Sequence, residues 1–401
     1  MLRRLFMLAA VVTVVGIVPA AQTAAAPNAR ANFHAKRACG ISTSHSFAQC
    51  MSWVMTDAAG RPLSGPTVSG YGPAQFHSGY NLPTTASGNH TIAIVDAYSN
   101  PNVKADLDTY NAYWGLPPFP KCNKRQGITT SCLDIRNQIG KKKPLPPGNT
   151  GWGLEIALDV QVAHAICQNC KIVLYEANSN SFANLEAAVN TAASKHPDAI
   201  SNSYGADGYD CSEPGYNHPN IAVTVSSGDS GYGISCPANL ETVVSVGGTT
   251  LNLDGGGNYL SETVWSGTGS GCSTVRPAQS WQLSASNWAA IGCGTKRGAT
   301  DVSADADPVT GAAVYDSYGY GGWLRVGGTS LSSPLIAGVY ALAGNASSYA
   351  YPAKSVYDSP GSLHDVTTGS NGVCAPILRC NAGVGYDLPT GIGTPNGLGG
   401  F

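Results

Sequence analysis

A serine and two carboxylic acids are the residues of this chain whose types and spacing could do chemistry. Ser330 follows two glycines and a threonine and stands directly before an apolar segment that predicts a helix. Glu155 and Asp159 are four residues apart in a second predicted helix, so both side chains project from one face. A serine becomes a nucleophile when a neighbouring base takes its proton, and the best-placed bases here are carboxylates. Because a carboxylate of ordinary pKa, about 4, works as a base in acid, the pattern predicts a hydrolase with an acidic optimum.

Each of these residues also has a purely structural interpretation. A serine is a good helix N-cap, and two acids on one helix face can form an ordinary exposed edge. A third acid, Asp229, follows an apolar strand and lies between glycines. If it is protonated it can donate a hydrogen bond to a developing oxyanion, although most isolated Gly-Asp pairs form turns. The candidate catalytic residues are therefore Ser330, Glu155, Asp159 and Asp229.

Short apolar strands alternate with helices around these candidates. The patterns predict strands at 91–95, 172–175, 199–203 and 221–226, and helices at 151–166, 181–195 and 335–342. Such alternation is typical of an α/β fold with a mostly parallel central sheet and helices on both faces. In these sheets the functional residues lie at the carboxyl ends of the strands. Residues 247–311 are rich in glycine and predict irregular structure.

The composition limits the compartment and the partners. Only 11% of the 401 residues are charged and the net charge is −2, so neither nucleic acid nor an anionic membrane is an expected partner. Residues 1–26 have the charged start, apolar stretch and small-residue end of a signal peptide, with an uncleaved anchor as the alternative. Residues 27–72 are interpreted as a short N-terminal extension or pro-segment, and 73–401 as one domain. We expect a secreted, extracellular monomer that is not membrane-bound after signal removal.

The twelve cysteines indicate disulfide bonds in an exported protein. They fall into couples that are close in sequence, although spacing alone leaves the connectivity open. The couples are Cys39/Cys50, Cys122/Cys132, Cys167/Cys170, Cys211/Cys236, Cys272/Cys293 and Cys374/Cys380. The spacing of Cys167 and Cys170 also occurs in redox and metal motifs, but the sequence lacks the second such pair that a zinc ribbon needs.

Near the C-terminus, Asp365 and residues 383–387 combine two carboxylates with glycine-rich backbone. Carboxylate and carbonyl oxygens on a backbone that bends freely are suitable ligands for a hard cation such as Ca²⁺. From the spacing alone, a surface loop is the better interpretation.

Several ordered motifs make the chain resemble the sedolisins, which are serine-carboxyl peptidases with a subtilisin-like fold. The resemblance covers residues 73–401. The motifs lie at 71–75, 92–98, 155–159, 226–231, 301–308, 328–330 and 390–395. The chain departs from the family pattern in two respects. Its pro-segment is short. Asp96 and Tyr204 stand where some members have Glu and Trp in an extended hydrogen-bond network.

The resemblance implies a role for each candidate. Ser330 is similar to the family nucleophile, Glu155 to the general base, Asp159 to the acid that orients the base, and Asp229 to the oxyanion-hole acid. It also implies one structural Ca²⁺ ion. The implied ligands are Asp365, Val366, Gly383, Gly385 and Asp387. The middle three of these would bind through their backbone carbonyls.

The expected activity is hydrolysis of protein or peptide substrates in acid, either internally or from the amino end. Two other functions stay open. A subtilisin-like protease with a histidine base would share the Gly-Thr-Ser element, but none of the eight histidines lies in that family's His-Gly-Thr setting. A secreted, non-catalytic binding protein on a protease scaffold would account for the short pro-segment.

Overall fold

The computed structural model describes residues 34–401, which belong to one compact unit, Phe33–Phe401. The expected signal peptide and the start of the expected extension lie outside the described residues. The helices are α1 (Pro73–Gly79), α2 (Val103–Trp114), α3 (Thr150–Ile166), α4 (Phe182–Ala193), α5 (Ser280–Leu283), α6 (Trp288–Ile291), α7 (Thr329–Ala343) and α8 (Lys354–Asp358). Among residues 34–401, no helix has the length and apolar character that a membrane crossing requires.

The strands are short, and most of the long ones belong to one central sheet. In chain order they are β1 (His34–Arg37), β2 (Gln49–Cys50), β3 (Trp53–Thr56), β4 (Thr91–Ala97), β5 (Leu133–Asn137), β6 (Lys171–Ala177), β7 (Ala199–Asn202), β8 (Tyr204–Asp207), β9 (Ala222–Ser226), β10 (Ser235–Cys236), β11 (Val244–Leu253), β12 (Tyr259–Val264), β13 (Gly271–Pro277), β14 (Lys296–Ala299), β15 (Val302–Asp305), β16 (Ala312–Asp316), β17 (Gly322–Gly327), β18 (Leu363–His364) and β19 (Thr394–Pro395).

The central sheet confirms the predicted α/β architecture. Its order is β12-β11-β9-β7-β4-β6-β5, with β15 also beside β11, and only β12 pairs in antiparallel fashion. Side chains alternate across the sheet, so Ile92 and Ile94 of β4 pack in the same core as α3 and α7. Ala93 and Val95 pack with α4 in the core on the other face. Asp96 has the same parity as Ile92 and Ile94, which directs it towards α3.

The helix predicted at 335–342 is longer than expected and begins at Thr329. The predicted start was wrong because a proline normally lies in or before the first turn of a helix, whereas Pro334 lies inside this one. A proline there removes the N–H that would reach the carbonyl of Ser330 four residues earlier. The Ser203 hydroxyl lies 3.4 Å from that carbonyl oxygen, but its one proton makes the shorter bond, to Asp159 Oδ2 at 2.7 Å.

The segment 247–311 is also more regular than its glycine content predicts, since it contains most of β11 and all of β12–β15. Two of its glycines allow strands to pack closely. A Cβ added to Gly247 would come within 2.5 Å of the Ser303 hydroxyl, and one added to Gly248 within 2.5 Å of the Ala306 methyl group. Close approach of neighbouring chain, rather than irregularity, accounts for these glycines.

The N-terminal segment 34–56 pairs through its strands with two other parts of the chain. β2 adds to a small sheet with the order β10-β8-β2, and β1 and β3 add to an antiparallel sheet with the order β1-β3-β17-β16. β8 follows the central strand β7, and β17 leads directly into α7. The segment therefore passes across the start of α7.

All six predicted cysteine couples are disulfide-bonded, which confirms the pairing. Each bond joins residues at most 25 positions apart. The crosslinks therefore close local loops and leave the long-range architecture to the sheets and helices.

Candidate active site

Ser330 is the second residue of α7 and is completely buried. The turn from β17 into α7 passes through Gly328, whose φ of 94° is accessible mainly to glycine. The Ser330 hydroxyl donates to the carbonyl oxygen of Ser203 at 3.0 Å. Its main-chain N–H, one of the free donors at a helix start, donates to the carbonyl oxygen of Met51 at 3.1 Å.

Glu155 and Asp159 lie on α3, which packs against α7 and is buried along nearly its whole length. The side chain of Asn149 caps the helix by accepting from the N–H of Trp152 at 3.1 Å. Both acids are fully buried. The Ser203 hydroxyl donates to Asp159 Oδ2 at 2.7 Å, so Ser203 contacts both Asp159 and, through its carbonyl oxygen, the Ser330 hydroxyl.

Asp96 is a third buried carboxyl beside this pair. Burial raises the pKa of Glu155 well above its ordinary value, and the charge of Asp96 raises it further. The same two causes raise the pKa of Asp159, with a smaller contribution from Glu155. Burial also raises the pKa of Asp96 itself. The three groups therefore titrate together and retain protons to higher pH than isolated carboxyls.

Glu155 has serine hydroxyls around it. Those of Ser330 and Ser52 are close enough to stabilise its anion and lower its pKa, opposing the effect of burial. Neither carboxyl oxygen of Glu155, however, has a hydrogen bond of accepted geometry within residues 34–401. The Ser330 hydroxyl is bonded to Ser203 and stands next to its candidate base without a bond to it. Catalytic hydrogen bonds are often long before a substrate is bound.

Asp229 follows β9 and faces the start of α7. Its Oδ1 accepts from the N–H and the hydroxyl of Thr329 at 2.9 and 2.6 Å, while its buried Oδ2 has no partner in the described chain. Burial raises the pKa of Asp229 to about 7, against the opposing charge of Arg37. The group is therefore a hydrogen-bond donor in acid.

The free oxygen of Asp229 and the N–H of Ser330 border the same small space at Gly328. A Cβ added to Gly328 would come within 2.7 Å of Asp229 Oδ2 and within 2.0 Å of the Met51 carbonyl oxygen. The Met51 oxygen therefore lies near two groups that can donate to an oxyanion. Glycine keeps this space open.

Histidine does not take part in the site. None of the eight histidines, all of which lie within residues 34–401, hydrogen-bonds to Ser330. His164, the one on α3, is buried against the Phe119 ring with 4.1 Å between ring centroids. Burial lowers its pKa to about 3, so it is neutral at all but the lowest pH.

Tyr204 does not reach the carboxyl cluster by a hydrogen bond. Its hydroxyl donates to Asn202 Oδ1 at 2.9 Å and accepts from the hydroxyl of Tyr216 at 3.2 Å. Asp96 has no hydrogen-bond partner within residues 34–401. In this chain, therefore, Asp96 acts on the pair through its charge, and Tyr204 belongs to a separate polar chain.

Sequence reasoning missed three residues of the site and underestimated a fourth. Met51, Ser52 and Ser203 were not candidates, because nothing local distinguishes a methionine or a serine that acts through its main chain. Asp96 was considered only as a departure from the family pattern. The alternation of Ile92, Ile94 and Asp96 along β4 was a signal that could have placed it on the α3 face.

The residues proposed as metal ligands come together in one loop region. Asp365 Oδ2 accepts from the N–H of Gly385 at 2.8 Å, and Asp387 Oδ2 accepts from the N–H of Gly383 at 2.9 Å. Val366 is buried next to Asp365. No third acidic, histidine or cysteine side chain joins them in the part of the chain described. Two carboxylates fit the chemistry of a hard cation, and the other ligands would have to be main-chain carbonyls.

Comparison with known proteins shows similarity to one group of proteases. The chain is 30% identical to sedolisin of Pseudomonas sp. (strain 101), over 84% of its own length. It is 32% identical to kumamolisin of Bacillus sp. (strain MN-32), over 82% of its own length. It spans about three fifths of each of these relatives, 62% in both cases.

The structural comparison agrees. The fold matches the solved structure of Pseudomonas sedolisin, a serine-carboxyl proteinase complexed with two molecules of pseudo-iodotyrostatin. The TM-score is 0.66 and the identity 27%, over 82% of this chain and 96% of the other. Residues 148–359, more than half of the chain, match the family model described as the subtilase family. The chain therefore belongs to the subtilase family, and within it the chain is similar to the sedolisins.

Proposed function

We propose that this protein is a serine peptidase in which Ser330 attacks the peptide bond and Glu155 accepts the serine proton. The observation that carries the proposal is the burial of the Ser330 hydroxyl beside a cluster of three carboxyls with no histidine bonded to it. The relatives named sedolisin and kumamolisin support the same reaction class.

The reaction begins when Glu155 takes the proton from Ser330 and the hydroxyl oxygen attacks the substrate carbonyl carbon. The N–H of Ser330 and protonated Asp229 donate to the oxyanion that develops. Glu155 then gives its proton to the leaving amine, and water hydrolyses the acyl-enzyme by the reverse sequence. The charge of Asp96 raises the proton affinity of Glu155, and Asp159 holds the Ser203 hydroxyl beside the nucleophile.

The operating pH follows from Asp229. It donates only when protonated, and its pKa is about 7. Activity should therefore be lost as pH rises through neutrality. The base cluster must carry negative charge, so activity should also fall when strong acid protonates it completely. We infer an acidic optimum, and six disulfides are consistent with an extracellular site of action.

The loop that contains Asp365 and Asp387 would hold one structural Ca²⁺ ion in this proposal. The ion would bind two carboxyl groups on a loop that packs against α6 through the Tyr386 ring and bonds the carbonyl oxygen of Thr300, just after β14. Added Ca²⁺ should raise the melting temperature of the wild type and not that of Asp387→Asn. An equal change in the melting temperature of both proteins on addition of Ca²⁺ would contradict the proposed site.

The function is tested by incubating purified protein with a denatured protein substrate at about pH 4, near the ordinary carboxyl pKa. The wild type should release peptides, and Ser330→Ala should release none. Ser332→Ala is a matched control, since Ser332 lies in the same helix and its hydroxyl is bonded to the carbonyls of Ala304 and Asp305. Retained hydrolysis in Ser330→Ala, or no hydrolysis by any of the three proteins, would contradict the proposal.

A further inference from the structure

The N-terminal segment crosses the catalytic site in an extended conformation, and Met51 lies at its centre. We propose that residues 49–53 occupy the cleft as a substrate does, and that the protein hydrolyses its own peptide bond between Met51 and Ser52. This inference rests on the proposed peptidase function and names a specific substrate for it.

The segment is held by main-chain pairing on both sides of this bond. Before it, Gln49 and Cys50 of β2 pair with Gly205 and Tyr204 of β8, which would be an edge strand without β2. After it, Trp53 and Val54 pair with Gly327 and Val326 of β17. Addition of a strand to an exposed sheet edge is a general way of binding an extended peptide. Here the two edges meet at the start of α7, where the serine lies.

The main chain of Met51 makes the contacts expected of the residue under attack. Its N–H donates to the carbonyl oxygen of Ser203 at 3.2 Å, and the Ser330 hydroxyl donates to the same oxygen at 3.0 Å. The carbonyl oxygen of Met51 accepts from the N–H of Ser330 at 3.1 Å and borders the free Oδ2 of Asp229 at Gly328. The carbonyl group is thus already in the space where an oxyanion would be stabilised.

The leaving side of the bond faces the base. The hydroxyl of Ser52 is near enough to Glu155 to affect its pKa, as is that of Ser330. Glu155 therefore has both the nucleophile and the residue that would leave as neighbours.

The proposed cleavage balances as follows. A bond forms between the Ser330 oxygen and the Met51 carbonyl carbon, and the bond from that carbon to the Ser52 nitrogen breaks. The serine proton passes through Glu155 to the Ser52 amine. Water then hydrolyses the ester, which leaves a carboxylate on Met51 and restores the Ser330 hydroxyl.

The surroundings of the Met51 side chain indicate a preference at this position. The side chain is fully buried, and its sulfur lies 3.7 Å from Arg37 Nη1. Its terminal methyl group lies over Gly205, where an added Cβ would approach it to 3.1 Å. A long apolar side chain fills this pocket, whereas the shorter aspartate would leave part of it empty and bury a carboxylate.

No disulfide of the described chain bridges the Met51–Ser52 bond. Cys39–Cys50 lies entirely before it, and the other five lie entirely after it. The two products are held together only by non-covalent contacts, such as the pairing of β1 with β3 and the Arg37–Asp207 ion pair at 3.2 Å. A non-reducing denaturing gel should therefore separate them.

The experiment uses the full chain, purified above pH 7, shifted to about pH 4, and sampled over time on such a gel. Mass spectrometry and N-terminal sequencing should identify a product that begins at Ser52. Ser330→Ala should stay intact and Ser332→Ala should be cut as the wild type is. Met51→Leu should be cut at a similar rate, and Met51→Asp at least about 10-fold more slowly. The rate should not depend on protein concentration, because the bond lies in the chain's own cleft.

A parallel assay on a denatured protein separates the two proposals. If the wild type hydrolyses that substrate while its own Met51–Ser52 bond stays intact, this inference is overturned and the peptidase function stands. Cleavage at a different bond, or a rate that increases with protein concentration, would also overturn it. If neither the added protein nor the internal bond is hydrolysed, both proposals fail. Thermal unfolding of each Met51 variant should show a folded protein, so that slow cleavage reports recognition.

Discussion

Asp96, Glu155 and Asp159 are three carboxyl groups buried together, and none of them is part of an ion pair within residues 34–401. Burial is the largest cause of the raised pKa in each case. The charge of Asp96 adds to it for Glu155 and Asp159, and the charge of Glu176 adds to it for Asp96. A cluster of this kind holds and releases protons over a wide pH range.

Replacing Asp96 by Asn should shift the acid limb of the pH profile. The charge of Asp96 is the second largest cause of the raised pKa of Glu155, so its removal makes Glu155 easier to ionise. The limb of kcat/KM at low pH should therefore move to lower pH. Asp108→Asn, on the exposed face of α2, is a control that should leave the profile unchanged. A shift to higher pH would contradict the assignment.

Replacing Asp229 tests the oxyanion site. Asp229→Ala should lower kcat by about 10²–10³, which is typical for the loss of one oxyanion donor. Asp229→Asn keeps an N–H donor at every pH. It should retain more activity than Asp229→Ala and should lose the decline near pH 7 that protonation of Asp229 imposes. Equal profiles for the wild type and Asp229→Asn would show that another group controls this limb.

At the scale of secondary-structure elements, a buried ion pair joins three parts of the fold behind the site. The guanidinium of Arg297 on β14 bonds both oxygens of Asp301 at 2.6 and 2.5 Å. The same carboxylate accepts from the N–H of Ser245 on β11 at 2.8 Å and from the Tyr357 hydroxyl on α8 at 2.8 Å. Both charged side chains are almost completely buried.

Asp301→Ala should therefore destabilise the protein by about 3–5 kcal/mol, because it leaves a buried guanidinium without its partner. The matched control is Asp108→Ala, which breaks the exposed pair with Lys104 on α2 and should cost less than about 1 kcal/mol. Urea unfolding with intact disulfides measures both. Similar losses in the free energy of unfolding of the two variants would mean that the buried Arg297–Asp301 pair contributes no more to stability than the exposed pair.

The sequence predicts the local elements well and the packing between them less well. The strands and helices that surround β4 and α3 follow from apolar periodicity, which is a local property. The start of α7 does not follow from it, because Pro334 lies inside the helix, where a proline is normally a sign of a boundary. The strands within 247–311 were not predicted either, because their glycines are required by close contacts with residues distant in sequence.

At the scale of the whole molecule, the site depends on contacts that no local pattern records. Glu155 and Asp159 are predictable as a pair because one helix carries both. Their proximity to Ser330 was implied by the family resemblance and not by spacing. The pairing of β2 and β3 with β8 and β17 joins short strands that are more than 150 residues apart, so the position of Met51 emerged only from the folded chain.

The many buried acids also give the molecule a characteristic dependence of stability on pH. Burial raises the pKa of Asp229 and of Glu262 to about 7 and that of Asp305 well above its ordinary value. Carboxyls in the unfolded chain titrate near about 4. Between these values the folded state binds more protons than the unfolded state. The free energy of unfolding must therefore fall as pH rises from about 4 through 7.

Urea unfolding of the Ser330→Ala protein measures this dependence without self-cleavage. We expect a higher free energy of unfolding near pH 4 than near pH 7, with a further decline below about 4 as lowered-pKa groups such as Glu241 lose their partners. Glu262→Gln should flatten the slope by about one bound proton, since Gln can still accept from Tyr80 and Thr249. Stability that rises between pH 4 and 7 would show that these carboxyls are ionised in the folded protein. It would also contradict the proposed mechanism, which depends on a neutral Asp229.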